Sequence, residues 1–187
     1  MLKQLRSLLG PLYDHTALCL QPLPDCPLVA LHEERPFRAA STIKLFMLGE
    51  LFRRAAEEGL DLEEPVTLRA EALCGGDGIL KELAPGKHYT LRELATLMAI
   101  VSDNTAANLL FDRLGMEAVN EYASRLGTHG TRLERRMMDS AAVAAGRENR
   151  TCAADLLLFF RKLYGLELPG SDAKLAILKK QQVRGRF

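Results

Sequence analysis

Apolar positions along the chain change spacing near residue 41. Residues 16–23 (TALCLQPL) and 28–32 (LVALH) are short apolar segments separated by Pro24, Asp25 and Pro27, which predicts two strands joined by a turn. From Ser41 the spacing is helical: Ile43, Phe46, Met47, Phe52, Ala55 and Ala56 form one apolar face. Arg53, Arg54, Glu57 and Glu58 lie outside it, and Gly59 stops the helix. Thr90, with Glu93 three residues on, is a capping box that opens a helix over 91–101. Further helices are predicted over 105–114, ending at Gly115, and 116–126, closed by Gly127. Thr151 is the expected cap of an apolar helix over 153–164, and a last helix covers 172–182. Residues 132–150 are polar, Ala-rich and weakly periodic, a long loop with one turn of helix.

The first fifteen residues, MLKQLRSLLGPLYDH, read as an amphipathic opening helix. Lys3 and Arg6 imitate the charged start of a signal peptide, but Gly10 and Pro11 interrupt the apolar stretch and no small-residue cleavage site follows. With 187 residues, 48% of them hydrophobic and 26% charged, the chain suits one globular domain. A net charge of +1 gives no footprint for nucleic acid or an anionic membrane surface, and no apolar run nears the roughly 20 residues that span a bilayer. Cys19, Cys26, Cys74 and Cys152 form no CxxC pair, and the four histidines are scattered. Free thiols, a cytoplasmic location unless a leader was removed, and neither metal nor cofactor are expected.

Two short stretches carry chemistry. In Ser41-Thr42-Ile43-Lys44, a serine at a helix start has a lysine one turn up on the same face. A buried lysine of depressed pKa can take the serine's proton, and the helix N-terminus favours developing oxyanion charge. Alone, this pattern is common as a cap serine followed by a surface lysine. Ser102-Asp103-Asn104, 61 residues beyond Ser41 at a helix-to-helix junction, changes its weight. Ser102 can relay a proton between Lys44 and a leaving nitrogen, Asn104 can hold a substrate carbonyl, and Asp103 can tie the turn to backbone N–H groups.

The pair, in this order and spacing, resembles the class A β-lactamase and penicillin-binding-protein type of serine hydrolase. Ser102 to Leu110 (SDNTAANLL) is similar to the lactamase segment almost throughout, residues 131–135 (TRLER) to the start of the family's omega loop, and 146–151 to its end. The resemblance runs from the first helix to Gln182. It implies an α+β, β-lactamase-like fold, with the helical part and the first two sheet strands present in a single domain. It further implies Ser41 as acylated nucleophile, Lys44 as base or relay, Ser102 as shuttle, Asn104 as substrate contact, and a β-lactam, amide or ester as substrate.

Two departures modify that expectation. Met137 falls where a lactamase carries its deacylating glutamate, and a thioether cannot activate water. Glu134, Asp139 and Glu148 are nearby, with Glu134 and Glu148 expected to pair with loop arginines. The family's third motif, Lys-Thr-Gly on a later strand, does not occur before Phe187, so three strands and one oxyanion N–H are missing from this chain. A protein that acylates without turnover, or an inert truncated homologue, are therefore the alternatives to a hydrolase. The bare edge of the first two strands is expected to be covered in one of two ways, by self-association or by a C-terminal segment that still supplies the missing strands. Gly75-Gly76-Asp77-Gly78 lacks the Lys-Ser or Lys-Thr of a phosphate loop, and Ile79, Leu80 and Leu83 after it are expected to wall the cleft. Cys74 is expected to be an incidental thiol.

Overall fold

In the computed structural model, which describes residues 2–21 and 28–183, the predicted order of elements holds with short strands and longer helices. Helix α1 (Leu2–Leu9) runs through a 3-10 turn into β1 (Leu18–Leu20), antiparallel to β2 (Val29–Leu31) with Cys19 opposite Ala30. The turn between these strands, with Cys26, lies outside the described residues. Strand β3 (Phe37–Arg38) leads to a 3-10 turn at Ala40–Ile43 and helix α2 (Lys44–Glu57). Then follow β4 (Pro65–Thr67), β5 (His88–Thr90), α3 (Leu91–Ile100), α4 (Asn104–Leu114) and α5 (Met116–Leu126). The last third holds α6 (Ser140–Ala144), β6 (Arg150–Thr151), α7 (Ala153–Tyr164) and α8 (Ser171–Leu178).

Helix α2 is the hub. Its apolar face, continued from Ile43, buries Phe46, Met47 and Leu51 completely against Leu91 and Leu94 of α3, Leu110 of α4 and Phe159 of α7. Phe46 and Phe159 meet with ring centroids 5.4 Å apart, tilted by 56°, an arrangement aromatic quadrupoles favour. Gly49 lets α5 come close, since a Cβ there would lie 2.3 Å from the Tyr122 ring. On the outer side, the buried Glu50 carboxylate accepts from Arg53 and Arg54, and Arg54 also donates to the Leu114 carbonyl at 2.9 Å, tying α2 to the end of α4. A buried carboxylate is tolerated because both its oxygens are matched.

Four features differ from the sequence reading. Thr151 does not cap α7; it lies in β6, and its hydroxyl pairs with Thr131 Oγ1 at 2.8 Å. Cys152 occupies the cap position without a side-chain bond, while Asp155 in the first turn accepts from the N–H groups of His129 and Gly130 and from Thr131 Oγ1. The last helix is shorter than expected because Gln181 and Gln182 turn back to satisfy the carbonyls of Ala99 and Ile100 at the end of α3. Two ribbons of two and three residue pairs, β3 with β6 and β4 with β5, are too short to show a period of two. The opening pair, the one-turn helix α6 within 132–150 and the Thr90–Glu93 capping box are as read from the sequence. No helix among the described residues is long and apolar enough to cross a membrane.

Lys174 on α8 is fully buried, and its ammonium has no hydrogen-bond partner among the described residues. Burial pushes its pKa down from 10.5 to about 8. The unfolded chain holds that proton up to the higher value, so stability rises with pH between the two. Lys174→Met should raise unfolding stability near pH 7 by roughly 3 kcal/mol and reduce that rise. Urea denaturation near pH 7 and pH 9.5 checks both effects, and an unchanged stability at the lower pH contradicts them.

Candidate active site

The Ser41–Lys44 turn and the Ser102–Asn104 junction converge at the N-terminus of α2. Ser41 lies in the 3-10 turn, solvent-exposed, directly before the helix, and Lys44 is the first helical residue, only 4% exposed. The chain turns from α3 to α4 in three residues, with Ser102 at φ +56, a left-handed conformation that costs a non-glycine residue about 1–3 kcal/mol. Ala40, next to Ser41, is also left-handed at φ +46. Both motifs are thus held on strained backbone, and the strain aims the Ser102 carbonyl and hydroxyl at the same amine.

Lys44 Nζ donates to Ser102 O at 2.7 Å, to Asn104 Oδ1 at 2.8 Å and to Ser102 Oγ at 3.1 Å. Three donors meet three acceptors. Ser102 Oγ in turn lies 2.8 Å from Ser41 Oγ, so an unbroken hydrogen-bond path joins the lysine to the exposed serine. Burial pushes the Lys44 pKa down to about 8, against the opposing pull of Asp103 and Asp77. Roughly a tenth of the amine is then neutral near pH 7, against a fraction of a thousandth for an ordinary lysine.

Asp103 fixes the junction, as its sequence position implied. Its Oδ1 accepts from Ala106 N at 2.9 Å as the cap of α4, and its Oδ2 accepts from the N–H groups of Ile79 and Leu80 at 2.7 and 2.8 Å. Asn104 Nδ2 donates to Gly75 O at 3.0 Å, and its backbone N–H to Asp77 O at 3.0 Å. The glycine loop is stitched to the junction so closely that a Cβ on Gly78 would lie 2.4 Å from Asp103 Cγ. This corrects one expectation. Leu80 is fully buried in the core, Leu83 packs against that core and the exposed Ile79 side chain lies outside the cavity, so Gly76 and Asp77, not the apolar residues after them, wall the cleft.

The opposite wall is the 132–150 loop. Asn149 Oδ1 accepts from the N–H groups of Glu134 and Arg135, and Arg135 pairs with Glu148 at 2.5 Å. Glu134 and Glu148 face loop arginines as expected, and Asp139 is occupied as the cap of α6. Met137 is clamped by its backbone: its N–H donates to Asn108 Oδ1 at 2.8 Å, and its carbonyl accepts from Asn108 Nδ2 at 3.2 Å and from the Cys74 thiol at 3.5 Å. Burial pushes the Cys74 pKa up, which keeps that thiol a donor. Ser41, Gly76, Asn104 and Met137 line one cavity of about 660 Å³. On the other side of Ser41 an apolar groove of about 480 Å³ runs past Leu48, Met98, Phe160 and Tyr164.

Asn108 and Asn149 were not singled out in the sequence. Asn108 stands four residues after Asn104, hence on the same helix face, and a polar residue on that buried face was the available signal. Asn149 had none, because its partners lie across a loop. No three His, Cys, Asp or Glu side chains gather in a metal-binding group among the described residues.

A profile of the beta-lactamase enzyme family matches residues 3–187, so the chain belongs to that family. The beta-lactamase of Bacillus licheniformis is 30% identical over 153 residues, which make up 80% of this chain and 48% of that protein. The crystal structure of a beta-lactamase from Desulfarculus baarsii superposes with a TM-score of 0.85 at 28% identity, covering 98% of this chain and 70% of that one. A mutant of PBP-A, solved as its acyl-enzyme complex with penicillin G, gives a TM-score of 0.82 at 28% identity over 96% of this chain and 70% of its own. The fold is therefore the β-lactamase-like α+β fold, and the chain spans about half the length of the curated relatives it matches.

Removing the Asp103 carboxylate would leave three backbone N–H groups without an acceptor, two of them directly after the glycine loop. Asp103→Ala should cost about 2–4 kcal/mol in urea denaturation. A loss below about 0.5 kcal/mol would mean that this carboxylate does not hold the junction.

Proposed function

We propose that the protein is a serine acyl-transfer enzyme of the beta-lactamase family that forms an acyl-enzyme on Ser41. The observation that carries this reading is the hydrogen-bond path from buried Lys44 through Ser102 Oγ to Ser41 Oγ. In the neutral state of Lys44 both hydroxyl bonds reverse direction. Ser41 gives its proton to Ser102, which passes its own to the amine, as Ser41 Oγ bonds to the carbonyl carbon of a β-lactam, amide or ester. When the carbon–heteroatom bond breaks, the proton returns through Ser102 to the leaving nitrogen or oxygen. Asn104 keeps one amide N–H beyond its bond to Gly75 and can offer it to a substrate carbonyl.

Met137 favours acylation over turnover. Hydrolysis of an acyl-enzyme needs a base on the water, and the position clamped by Asn108 in the cavity beside Ser41 carries a thioether instead. The protein thus acts as a penicillin-binding species with slow release, and hydrolysis is its minor outcome.

Incubation with penicillin G should add the mass of the intact drug to the protein, with the adduct on Ser41, and Ser41→Ala should stay unlabelled. Equal labelling of the two ends this reading. Met137→Glu should shorten the lifetime of the adduct by about 10²–10⁴-fold, the usual worth of a positioned general base, as followed by return to the free mass. An unchanged lifetime would mean that Met137 does not occupy the deacylating position.

A further inference from the structure

Met138 is the one strained residue of the omega loop whose side chain the chemistry above leaves unused. Its φ is +60, in the left-handed region that methionine rarely adopts, and it is 60% exposed. The strain is held from both sides: Met137 before it is fixed to Asn108 in two hydrogen bonds, and Asp139 after it caps α6 through the Ala142 N–H at 2.8 Å. A left-handed residue between two anchors sends its side chain where the neighbouring residues do not go. Here it goes across the cleft. A Cβ built on Gly76 would lie 3.1 Å from Met138 Sδ and 3.6 Å from its Cε, and 2.6 Å from Asn104 Nδ2. The thioether therefore rests on Gly76 on the opposite wall, beside the amide of Asn104. Gly76, at φ +79 and without a side chain, makes the room.

We propose that Met138 is a specificity-determining residue: laid from the omega loop onto Gly76, its side chain narrows the cavity beside Ser41 and excludes acyl donors whose side-chain amide carries a bulky, rigid substituent. The inference rests on the acyl-enzyme reading for its reaction, but its geometry is independent of it. A flexible thioether is displaced by a slim group and resists a rigid one, so the acyl donors selected are those with a compact or freely rotating substituent. One side-chain difference in such a pocket is worth about 10–200-fold in discrimination.

The test uses two penicillins with the same nucleus: benzylpenicillin, whose ring is attached through a methylene, and methicillin, whose dimethoxyphenyl group sits directly on the amide carbonyl. Acylation rates of wild type, Met138→Ala and Met138→Leu are read by intact mass, and equilibrium binding of both drugs is measured in the Ser41→Ala background. The ratio of methicillin to benzylpenicillin acylation should rise at least about tenfold in Met138→Ala and return toward wild type in Met138→Leu. The binding ratio should move the same way. Acylation with an unchanged ratio overturns the proposal. If no variant is acylated, the acyl-enzyme reading fails alone, and the binding ratio decides: a tenfold gain for methicillin upholds the role of Met138, whereas no gain, or no binding of either drug, overturns it.

Discussion

A charged lysine amine taken out of water costs stability unless acceptors meet its protons, and the way that cost is met at Lys44 organises the site. Two of its three acceptors belong to Ser102 and the third to Asn104, so the amine is satisfied only if the α3–α4 junction turns within three residues. That turn puts Ser102 in a left-handed conformation, which Asp103 sustains by binding three backbone N–H groups at once. The glycine loop follows, because two of those N–H groups are its own continuation. Cleft wall, junction and helix start are one hydrogen-bonded unit around a single buried amine.

The same unit explains how the site divides its labour. Burial lowers the Lys44 pKa toward physiological pH, and in the proposed reaction the neutral amine is the base while the hydroxyl of Ser102 carries the proton the remaining distance. The omega loop is held with equal care by Asn108, Asn149 and the Arg135–Glu148 pair, yet what it holds in the cleft is a thioether. In the proposed reaction, this rigidly placed but unreactive side chain preserves the shape of the cavity while withholding the base that would release an acyl group. Asn108 acts on the backbone of Met137, so the clamp is indifferent to the side chain, and a carboxylate there would be placed by the same two bonds.

Much of this was legible from the sequence, for physical reasons that differ by residue. The α2 stripe, the Thr90–Glu93 box and the Gly115 and Gly127 stops are local, and local signals survive in a sequence. Ser41, Lys44, Ser102 and Asn104 were singled out by spacing and by resemblance, and the fold brings the four together. Thr151 misled because its hydroxyl looked like a cap, while a partner across the loop, Thr131, had a better claim on it. Ile79 and Leu80 misled because apolar residues beside a glycine loop suit a cleft wall and a core equally well. Met138 was invisible, since a positive φ in a non-glycine residue is imposed by its neighbours and leaves no mark on composition.

The central claim, that buried Lys44 in its neutral form drives acylation of Ser41, is tested most directly by the pH dependence of the acylation rate with penicillin G between about pH 6 and pH 9.5, followed by intact mass. Deprotonation of Lys44 creates the base, so the rate should climb close to tenfold per pH unit at the acid end, bend near pH 8 and level off above it. A rate that is flat across the range, or that falls as pH rises through 8, would contradict the account.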